Sequence, residues 1–242
     1  KAFEIQFTDK ENKKVYPHQT SWGVTTRLIG AIIMTHGDDN GLVLPPKVAP
    51  LQVVIVPIYK GDEQLAMISE KANALAKELR AMGISVKYDN SEHARPGWKF
   101  AEYEMKGIPL RLEIGPRDIQ NNQCLAVRRD TKEKISLALA DIEKSVRELL
   151  DNIQKNMFEE AKQNLENNTF TAYTIEELKD IIQTKGGFVK AMWCGDVKCE
   201  TQLKEEAGVS SRCIPFAQEN LSDKCVCCEK SAKQMVIWAV AY

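Results

Sequence analysis

Apolar and polar residues alternate at the start of the chain and then gather into one apolar run. The alternation over residues 3–7 predicts a half-buried strand, and a second strand is expected to lead to Trp22. The apolar run over residues 28–35 predicts a helix that stops at Gly37. Prolines at positions 45, 46 and 50 predict a linker, so we place a domain boundary after residue 46.

Residues 51–150 show strand and helix patterns in turn. The continuous apolar run over residues 53–56 is expected of a strand buried on both faces. Apolar positions at helical spacing over residues 65–82 and 135–149 predict two amphipathic helices. The other predicted elements are strands over 84–88, 110–114 and 123–128 and a short helix over 98–105. This order predicts an α/β domain with a mixed sheet.

The remainder of the chain combines a charged helical pattern, a cluster of cysteines and a closing apolar strand over residues 235–241. Thr174 and Glu177 have the spacing of a capping box, which predicts that a helix follows. This part therefore has the features of a small α+β domain. The predicted domains are residues 1–46, 51–150 and 151–242.

Composition narrows the classes of function. The chain has 242 residues with 33 basic and 34 acidic side chains, so any RNA site must be a local patch rather than a strongly basic domain. No apolar run approaches the roughly 20 residues of a membrane span, and no membrane partner is expected. The first residues lack the layout of a signal peptide, so the expected compartment is the cytoplasm.

Arg27 is the charged side chain in an otherwise uncharged stretch over residues 19–35. Such an arginine must be ion-paired or face a ligand, because burying it alone is costly. Its guanidinium can hold phosphate groups by paired hydrogen bonds, and a structural ion pair is the alternative. The following His36, Asp38 and Asp39 are more typical of helix capping and a solvated turn than of catalysis or metal binding.

Six of the seven cysteines lie between positions 194 and 228, and this clustering favours metal binding over disulfides. Two close pairs are spaced to supply four thiolates to a structural Zn²⁺, with no open position for catalysis. The pairs are Cys194 with Cys199 and Cys225 with Cys228. Cys227 is the alternative fourth ligand, and Cys213 is expected to be a buried apolar residue. A metal-free set of core thiols is the alternative to the whole site.

Residues 95–100 and 107–118 combine basic groups with aromatic and apolar side chains. This combination suits single-stranded RNA, because the phosphates contact the basic groups while the bases stack on aromatic rings. A solvated helix edge is the alternative that the pattern alone favours.

Residues 22–30, Trp-Gly-x-Thr-Thr-Arg-Leu-Ile-Gly, resemble the third signature motif of class II aminoacyl-tRNA synthetases. The flanking residues, with His-Gly-Asp-Asp and Leu-Pro-Pro over 36–46, resemble the prolyl-tRNA synthetase family within that class. Residues 224–227 and the terminal Tyr242 fit its archaeal and eukaryotic type. The resemblance covers essentially the whole chain. It implies the end of an antiparallel-sheet catalytic core over 1–46, an anticodon-binding domain over 51–150 and a zinc-binding domain over 151–242.

The resemblance also implies an activity. Such an enzyme ligates L-proline to tRNA(Pro) through prolyl-adenylate, uses ATP with Mg²⁺, and is a homodimer. Thr25 and Arg27 are implied to bind ATP, and Trp22 and Gly23 to line the proline pocket. The residues implied to face the anticodon are Arg95, Trp98, Lys99, Glu113 and Arg117.

Two further expectations follow from the resemblance. The carboxylate of Glu113 can read a guanine through its N1–H and N2–H groups. The carboxylate of Tyr242 is implied to reach the active site, and a plain strand end is the alternative.

The sequence also departs from the family. The first two signature motifs are absent, so we expect most of the catalytic domain to be missing and this chain alone not to activate an amino acid. Glu229 replaces the glycine that is usual after the last zinc cysteine. The rival interpretation is a non-catalytic module that binds tRNA through the anticodon and zinc domains. A scaffold that binds neither ATP nor tRNA is a weaker third interpretation.

Overall fold

A computed structural model describes residues 3–92 and 94–241 of the chain. These residues form a short N-terminal segment and two α/β units, each with its own sheet and hydrophobic core. The predicted α/β class with a mixed sheet is confirmed, since each large sheet contains both parallel and antiparallel pairs. No helix in the described part of the chain is long and apolar enough to cross a membrane.

The N-terminal segment is largely exposed. It contains a ribbon of β1 (Phe7–Thr8) and β2 (Lys14–Val15), followed by helix α1 (Arg27–His36). The predicted half-buried strand over residues 3–7 is wrong, because its apolar side chains are more than half exposed, and no strand leads to Trp22. Two two-residue strands have too few neighbours to cover an apolar face.

The first unit is built on a five-stranded sheet in the order β4-β3-β5-β6-β7. Strand β3 lies between β4 and β5 and runs parallel to both, while β6 and β7 are antiparallel to their neighbours. The strands are β3 (Val53–Pro57), β4 (Val86–Tyr88), β5 (Leu110–Ile114), β6 (Gln123–Arg128) and β7 (Lys134–Ala138).

Helices cover the two faces of this sheet unequally. The helices are α2 (Asp62–Ala81), α3 (Pro96–Met105), α4 (Pro116–Gln120) and α5 (Ile142–Asn167). The long helices α2 and α5 supply buried side chains to the main core on one face. On the other face α3 packs against β3, where Val54 and Val56 contact Tyr103. Farther along that face, Lys134 and Ser136 of β7 remain exposed.

Strand β7 was not predicted. The helix expected from residue 135 begins only at Ile142, after a 3-10 turn over Leu139–Asp141. Residues 134–138 alternate between exposed and more buried positions, and this two-residue period fits an edge strand. The short alternation was concealed because its apolar residues also fit the helical spacing of the run that follows.

The second unit has a four-stranded sheet in the order β10-β11-β9-β8, with helices α6 and α7. Its strands are β8 (Thr169–Thr171), β9 (Phe188–Trp193), β10 (Val209–Cys213) and β11 (Gln234–Val240). Helix α6 (Ile175–Thr184) begins with half of the predicted capping box: Thr174 Oγ1 accepts a hydrogen bond from the N–H of Glu177, while Glu177 Oε2 accepts from the N–H of Tyr173. Helix α7 (Val197–Ala207) ends at Gly208, which adopts the left-handed conformation.

Helix α5 joins the two units. It runs without a break through residue 150, and its residues Ile153 and Met157 belong to the core of the first unit. The domain boundary predicted between residues 150 and 151 therefore falls inside this helix.

Candidate metal centre and nucleic-acid interface

Four cysteine thiols lie together beside the second sheet. The sulfurs of Cys194, Cys199, Cys225 and Cys228 all lie within 4.8 Å of one another. The Sγ–Sγ distance is 3.6 Å from Cys194 to Cys199 and 3.8 Å from Cys228 to Cys194. Four sulfurs about 2.3 Å from a tetrahedral Zn²⁺ would be separated by about 3.8 Å. The donor set and spacing therefore fit a structural zinc ion.

Two turns present these thiols. Cys194 follows β9, where Gly195 adopts a φ of 86° that favours glycine, and Cys199 lies in the first turns of α7. The other two cysteines lie in a turn whose ends pair as an isolated bridge between Lys224 and Ser231. In that turn Glu229 has a φ of 56°, the region that glycine adopts most readily. This agrees with the glycine that the family resemblance implies at the position.

The environment of the sulfurs bears on their protonation. Burial raises the pKa of the Cys194 and Cys199 thiols. Burial also opposes ionisation of Cys225, but hydrogen bonds from the backbone N–H groups of Cys228 and Cys227 outweigh it and lower the pKa. A cation among the four sulfurs would favour the thiolate at every position.

The other cysteines have different surroundings. Cys227 lies outside the four-thiol group and packs partly against the core of the second unit. Cys213 is exposed, so the prediction that it is buried is wrong: it ends strand β10 after a break in register. Cys124 is buried in the core of the first unit, and burial raises its pKa to about 12.

A polar cluster lies on the face of the first sheet that carries α3. Glu113 is buried on β5, and its Oε1 accepts a hydrogen bond of 2.9 Å from Nε of Arg111, while Nη2 of the same guanidinium lies 2.9 Å from this oxygen as an ion pair. The same guanidinium lies 4.2 Å from the ring centroid of Phe100 on α3. The stacked arginine therefore fixes one oxygen of the Glu113 carboxylate.

Basic side chains surround a small cavity next to this cluster. Its volume is about 170 Å³, and Arg111, Arg129, Lys132 and Lys134 contribute to its lining. None of these four basic residues was among those predicted to face RNA. The two-residue alternation of β7 could have identified Lys134. It pairs Lys134 with Val127 and places both side chains on the face of the sheet that carries α3.

The residues predicted to face the anticodon fall into two groups. Arg95, Trp98 and Arg117 are exposed, with 60% of Trp98 accessible to solvent. Lys99 and Glu113 are buried, with 1% and 6% exposed, so these two of the five residues predicted to face RNA do not lie on the open surface. Lys99 and Tyr103 are four residues apart and share the buried side of α3, where Trp98 does not lie.

The motif over residues 22–27 does not form an enclosed site. Trp22, Gly23, Thr25 and Arg27 are all exposed, with 94% of Trp22 accessible. Arg27 begins α1, and its backbone N–H donates to Thr25 Oγ1 at 3.3 Å. Among residues 3–92 and 94–241 the Arg27 side chain has no ion-pair partner, so the structural ion pair considered above is not found there.

The turn after α1 is joined to the first unit. Nη1 and Nη2 of Arg129 donate to the two carboxylate oxygens of Asp38 at 2.8 and 2.6 Å, and these bonds hold the pKa of Asp38 well below its usual range. Asp38 is thus an ion-pair partner as well as part of a turn. Burial lowers the pKa of the adjacent His36, and Asp39 is exposed. Tyr242 lies outside the described residues.

Family models match both α/β units. Residues 52–149 match the anticodon binding domain, and residues 175–242 match the model described as prolyl-tRNA synthetase, C-terminal. The chain matches the C-terminal region of prolyl-tRNA synthetases. The anticodon-domain match contains all five residues predicted to face RNA, and the prolyl-tRNA synthetase match contains all four clustered cysteines.

Curated relatives agree with these matches. A proline–tRNA ligase of Clostridium novyi (strain NT) is 57% identical over 242 residues, which make up 100% of this chain and 50% of that protein. A proline–tRNA ligase of Lachnospira eligens is 56% identical with the same coverage. Proline–tRNA ligase 2 of Bacillus cereus is 54% identical over 246 residues, again 50% of its length. The chain thus spans about half the length of the curated relatives it matches.

Proposed function

We propose that this chain is the tRNA-binding part of a proline–tRNA ligase. The longer protein would join L-proline to tRNA(Pro) through prolyl-adenylate, with ATP and Mg²⁺ as in the prolyl-tRNA synthetase family. The observation that carries the proposal is the continuous similarity to proline–tRNA ligases, at 57% identity over the whole chain. The polar face with Arg111, Glu113 and the nearby basic side chains supplies suitable RNA-binding chemistry.

The domain assignment is part of this proposal. Residues 1–46 would end the catalytic core, residues 51–150 would bind the anticodon, and residues 151–242 would form the zinc domain, with helix α5 shared by the last two. The relatives reported above are bacterial, so the archaeal and eukaryotic type is proposed from residues 224–227 and Tyr242 alone. A homodimer in the cytoplasm is the expected state of the longer protein, which sedimentation and cell fractionation would test.

Anticodon reading is proposed for Glu113. Proline codons begin with two cytosines, so the matching anticodons carry two guanines. A carboxylate accepts hydrogen bonds from the N1–H and N2–H groups of guanine, and Arg111 holds the Glu113 carboxylate in place. The exposed Arg95, Trp98 and Arg117 would contact the phosphates and bases of the loop.

Glu113→Gln is expected to weaken binding of a tRNA(Pro) anticodon stem-loop about 10- to 100-fold, because an amide presents one donor where guanine requires an acceptor. Fluorescence anisotropy with a labelled stem-loop measures the change. Glu143→Gln is the matched control. Glu143 is exposed on the first turn of α5, and this helix packs on the face of the sheet opposite to α3 and Glu113. Equal affinities of the Glu113→Gln variant and the unsubstituted chain would remove Glu113 from the interface.

ATP binding is proposed for Arg27 and Thr25, with Trp22 and Gly23 at the proline end of the pocket. In the longer protein, Arg27→Ala is expected to slow proline-dependent pyrophosphate exchange about 100-fold or more, because the triphosphate loses a fixed positive charge. Arg147→Ala is the control, since Arg147 is exposed on α5 and its Nη2 donates to the carbonyl of Met82. An unchanged exchange rate contradicts the phosphate role. Exchange with threonine or histidine but not with proline contradicts the assignment to proline. Exchange with none of these amino acids leaves the non-catalytic module as the better interpretation.

A further inference from the structure

We propose that Lys99 is a positioning residue for RNA recognition: it joins the segment over residues 89–91 to the start of helix α3 so that Arg95 faces the RNA. Lys99 itself does not contact the RNA. This inference rests on the proposed anticodon-binding function and extends it to a residue that lies inside the protein.

The ammonium group of Lys99 is fully engaged inside the protein. Its Nζ donates to the carbonyl oxygen of Asp89 at 2.9 Å and to that of Ser91 at 2.7 Å, and it lies 3.5 Å from the Asp89 carboxylate. The three N–H bonds of a lysine ammonium can each be directed at one of these oxygens. A buried cation is tolerated only with such partners, so Lys99 requires residues 89–91 in this position. Those residues in turn are held by their bonds to the Lys99 ammonium.

Asp89 completes a network between strand β4 and helix α3. Its carboxylate accepts hydrogen bonds from Ser91 Oγ at 2.7 Å and from Tyr103 Oη at 2.8 Å. Burial by itself would raise the pKa of Asp89, but these bonds and the charge of Lys99 outweigh it and lower the pKa to about 2. Asp89 is thus ionised and paired at neutral pH.

Lys99 contacts both the segment and the start of α3. Its side chain binds Asp89 and Ser91, while its backbone N–H donates to the carbonyl of Arg95 at 3.2 Å. The N–H of Trp98 donates to the same carbonyl at 3.0 Å. One buried residue therefore links the segment to the first turn of α3, from which Arg95 and Trp98 reach solvent.

The network lies next to the proposed anticodon-reading cluster. The Asp89 N–H donates to the carbonyl oxygen of Ile55, and Tyr88 pairs with Ile55 across the two strands. The residues that follow, Asp89 and Val56, are therefore side by side. Val56 pairs with Glu113 on the other side of β3. Strands are spaced by about 4.8 Å, which puts Asp89 and Glu113 about 10 Å apart on one face. The Lys99 network and Glu113 therefore lie two strands apart on the same face of the sheet.

The positioning role is tested by a double-mutant cycle on the 242-residue chain, with a labelled tRNA(Pro) anticodon stem-loop as the probe. Lys99→Met and Arg95→Ala are each expected to weaken binding about 10-fold and to reduce the salt dependence of Kd by about one charge. The double variant should bind within about twofold of Arg95→Ala, because the Arg95 contact that Lys99 supports is already lost. The inference is overturned if the loss of affinity in the double variant equals the product of the two single losses. It is also overturned if Lys99→Met alone leaves Kd unchanged.

A matched tyrosine pair separates positioning from general stability. Tyr103→Phe removes the hydroxyl that donates to Asp89, and Tyr88→Phe removes the hydroxyl that bonds Ser69 Oγ of α2 at 2.8 Å. Only Tyr103→Phe is expected to weaken RNA binding severalfold, although each variant loses one hydrogen bond, which is buried for Tyr103 and partly buried for Tyr88. Equal weakening by both variants would show a stability effect and contradict the positioning role.

Failure of the proposed function and failure of the positioning role give different binding results. If the unsubstituted chain does not prefer the tRNA(Pro) stem-loop over one with a permuted loop, the proposed function is contradicted before any variant is compared. If it does prefer that stem-loop while Lys99→Met and Arg95→Ala act independently, only the positioning role is contradicted.

Discussion

Replacing Cys199 by serine is expected to abolish binding of about one zinc ion per chain and to destabilise the second α/β unit by several kcal/mol. Cys199 is buried, and its sulfur lies 3.6 Å from that of Cys194. A serine hydroxyl is a poor replacement for a thiolate, so a tetrahedral site would lose one of four ligands. Elemental analysis of the purified chain measures the zinc, and thermal unfolding measures the destabilisation.

The size of this effect follows from what the thiols join. The pair Cys194 and Cys199 belongs to the β9–α7 connection, while Cys225 and Cys228 belong to a separate turn. A metal ion would crosslink these two parts of the chain, so its binding free energy would add directly to the stability of the fold.

Three cysteine controls sharpen the test. Cys213→Ser should retain zinc, because Cys213 is exposed and outside the four-thiol group. Cys227→Ser should also retain it, whereas Cys228→Ser should lose it; the reverse result would identify Cys227 as the fourth ligand. Absence of zinc from the unsubstituted chain would favour the alternative of metal-free core thiols.

Arg128→Met is expected to lower the free energy of unfolding by about 3–5 kcal/mol, because it leaves the buried Asp130 carboxylate without its cation. Nε and Nη2 of Arg128 donate to the two oxygens of Asp130 at 2.9 and 2.7 Å, and Nη1 donates to Asn152 of α5 at 2.7 Å. Both charged side chains are less than a tenth exposed. The network therefore anchors α5, the helix shared by the two units, to the end of β6.

Urea unfolding measures this loss, and two further variants test its cause. Lys144→Met removes an exposed ion pair with Glu148 on the same helix, and it should change the free energy of unfolding by less than about 0.5 kcal/mol. The double variant Arg128→Met/Asp130→Leu should be more stable than Arg128→Met alone, since it leaves no unpaired buried charge. A loss from Arg128→Met no larger than that from Lys144→Met would contradict the argument.

Much of the first unit was predictable because its elements have strong local patterns. The apolar run over residues 53–56 became the fully buried strand β3, and the helical spacing over residues 65–82 became α2. Both patterns report burial along a single element, which needs no knowledge of its neighbours. Strand β7 was missed because its five residues are too few to separate a two-residue period from a helical one.

Of the two candidate sites, the cysteine cluster was predictable from the sequence and the orientation of the anticodon residues was not. Cysteine spacing is written in the sequence, and the structure brings together the four thiols that this spacing singled out. The anticodon residues were chosen by charge and aromatic character, which do not tell which side of a helix is buried. Lys99 was grouped with Trp98 for this reason, although the fold places one inside and the other outside.

The sequence by itself determined the class of the fold, the two close cysteine pairs and the family resemblance, because each depends on residue types at short separations. Only the tertiary structure decided that Lys99 binds the carbonyls of Asp89 and Ser91, and that Arg111 stacks on Phe100 while holding Glu113. Two of these contacts, Lys99 with residues 89–91 and Arg111 with Phe100, join residues from different parts of the fold. Their energies depend on burial and on exact partners, which arise only when the sheet and its helices pack together.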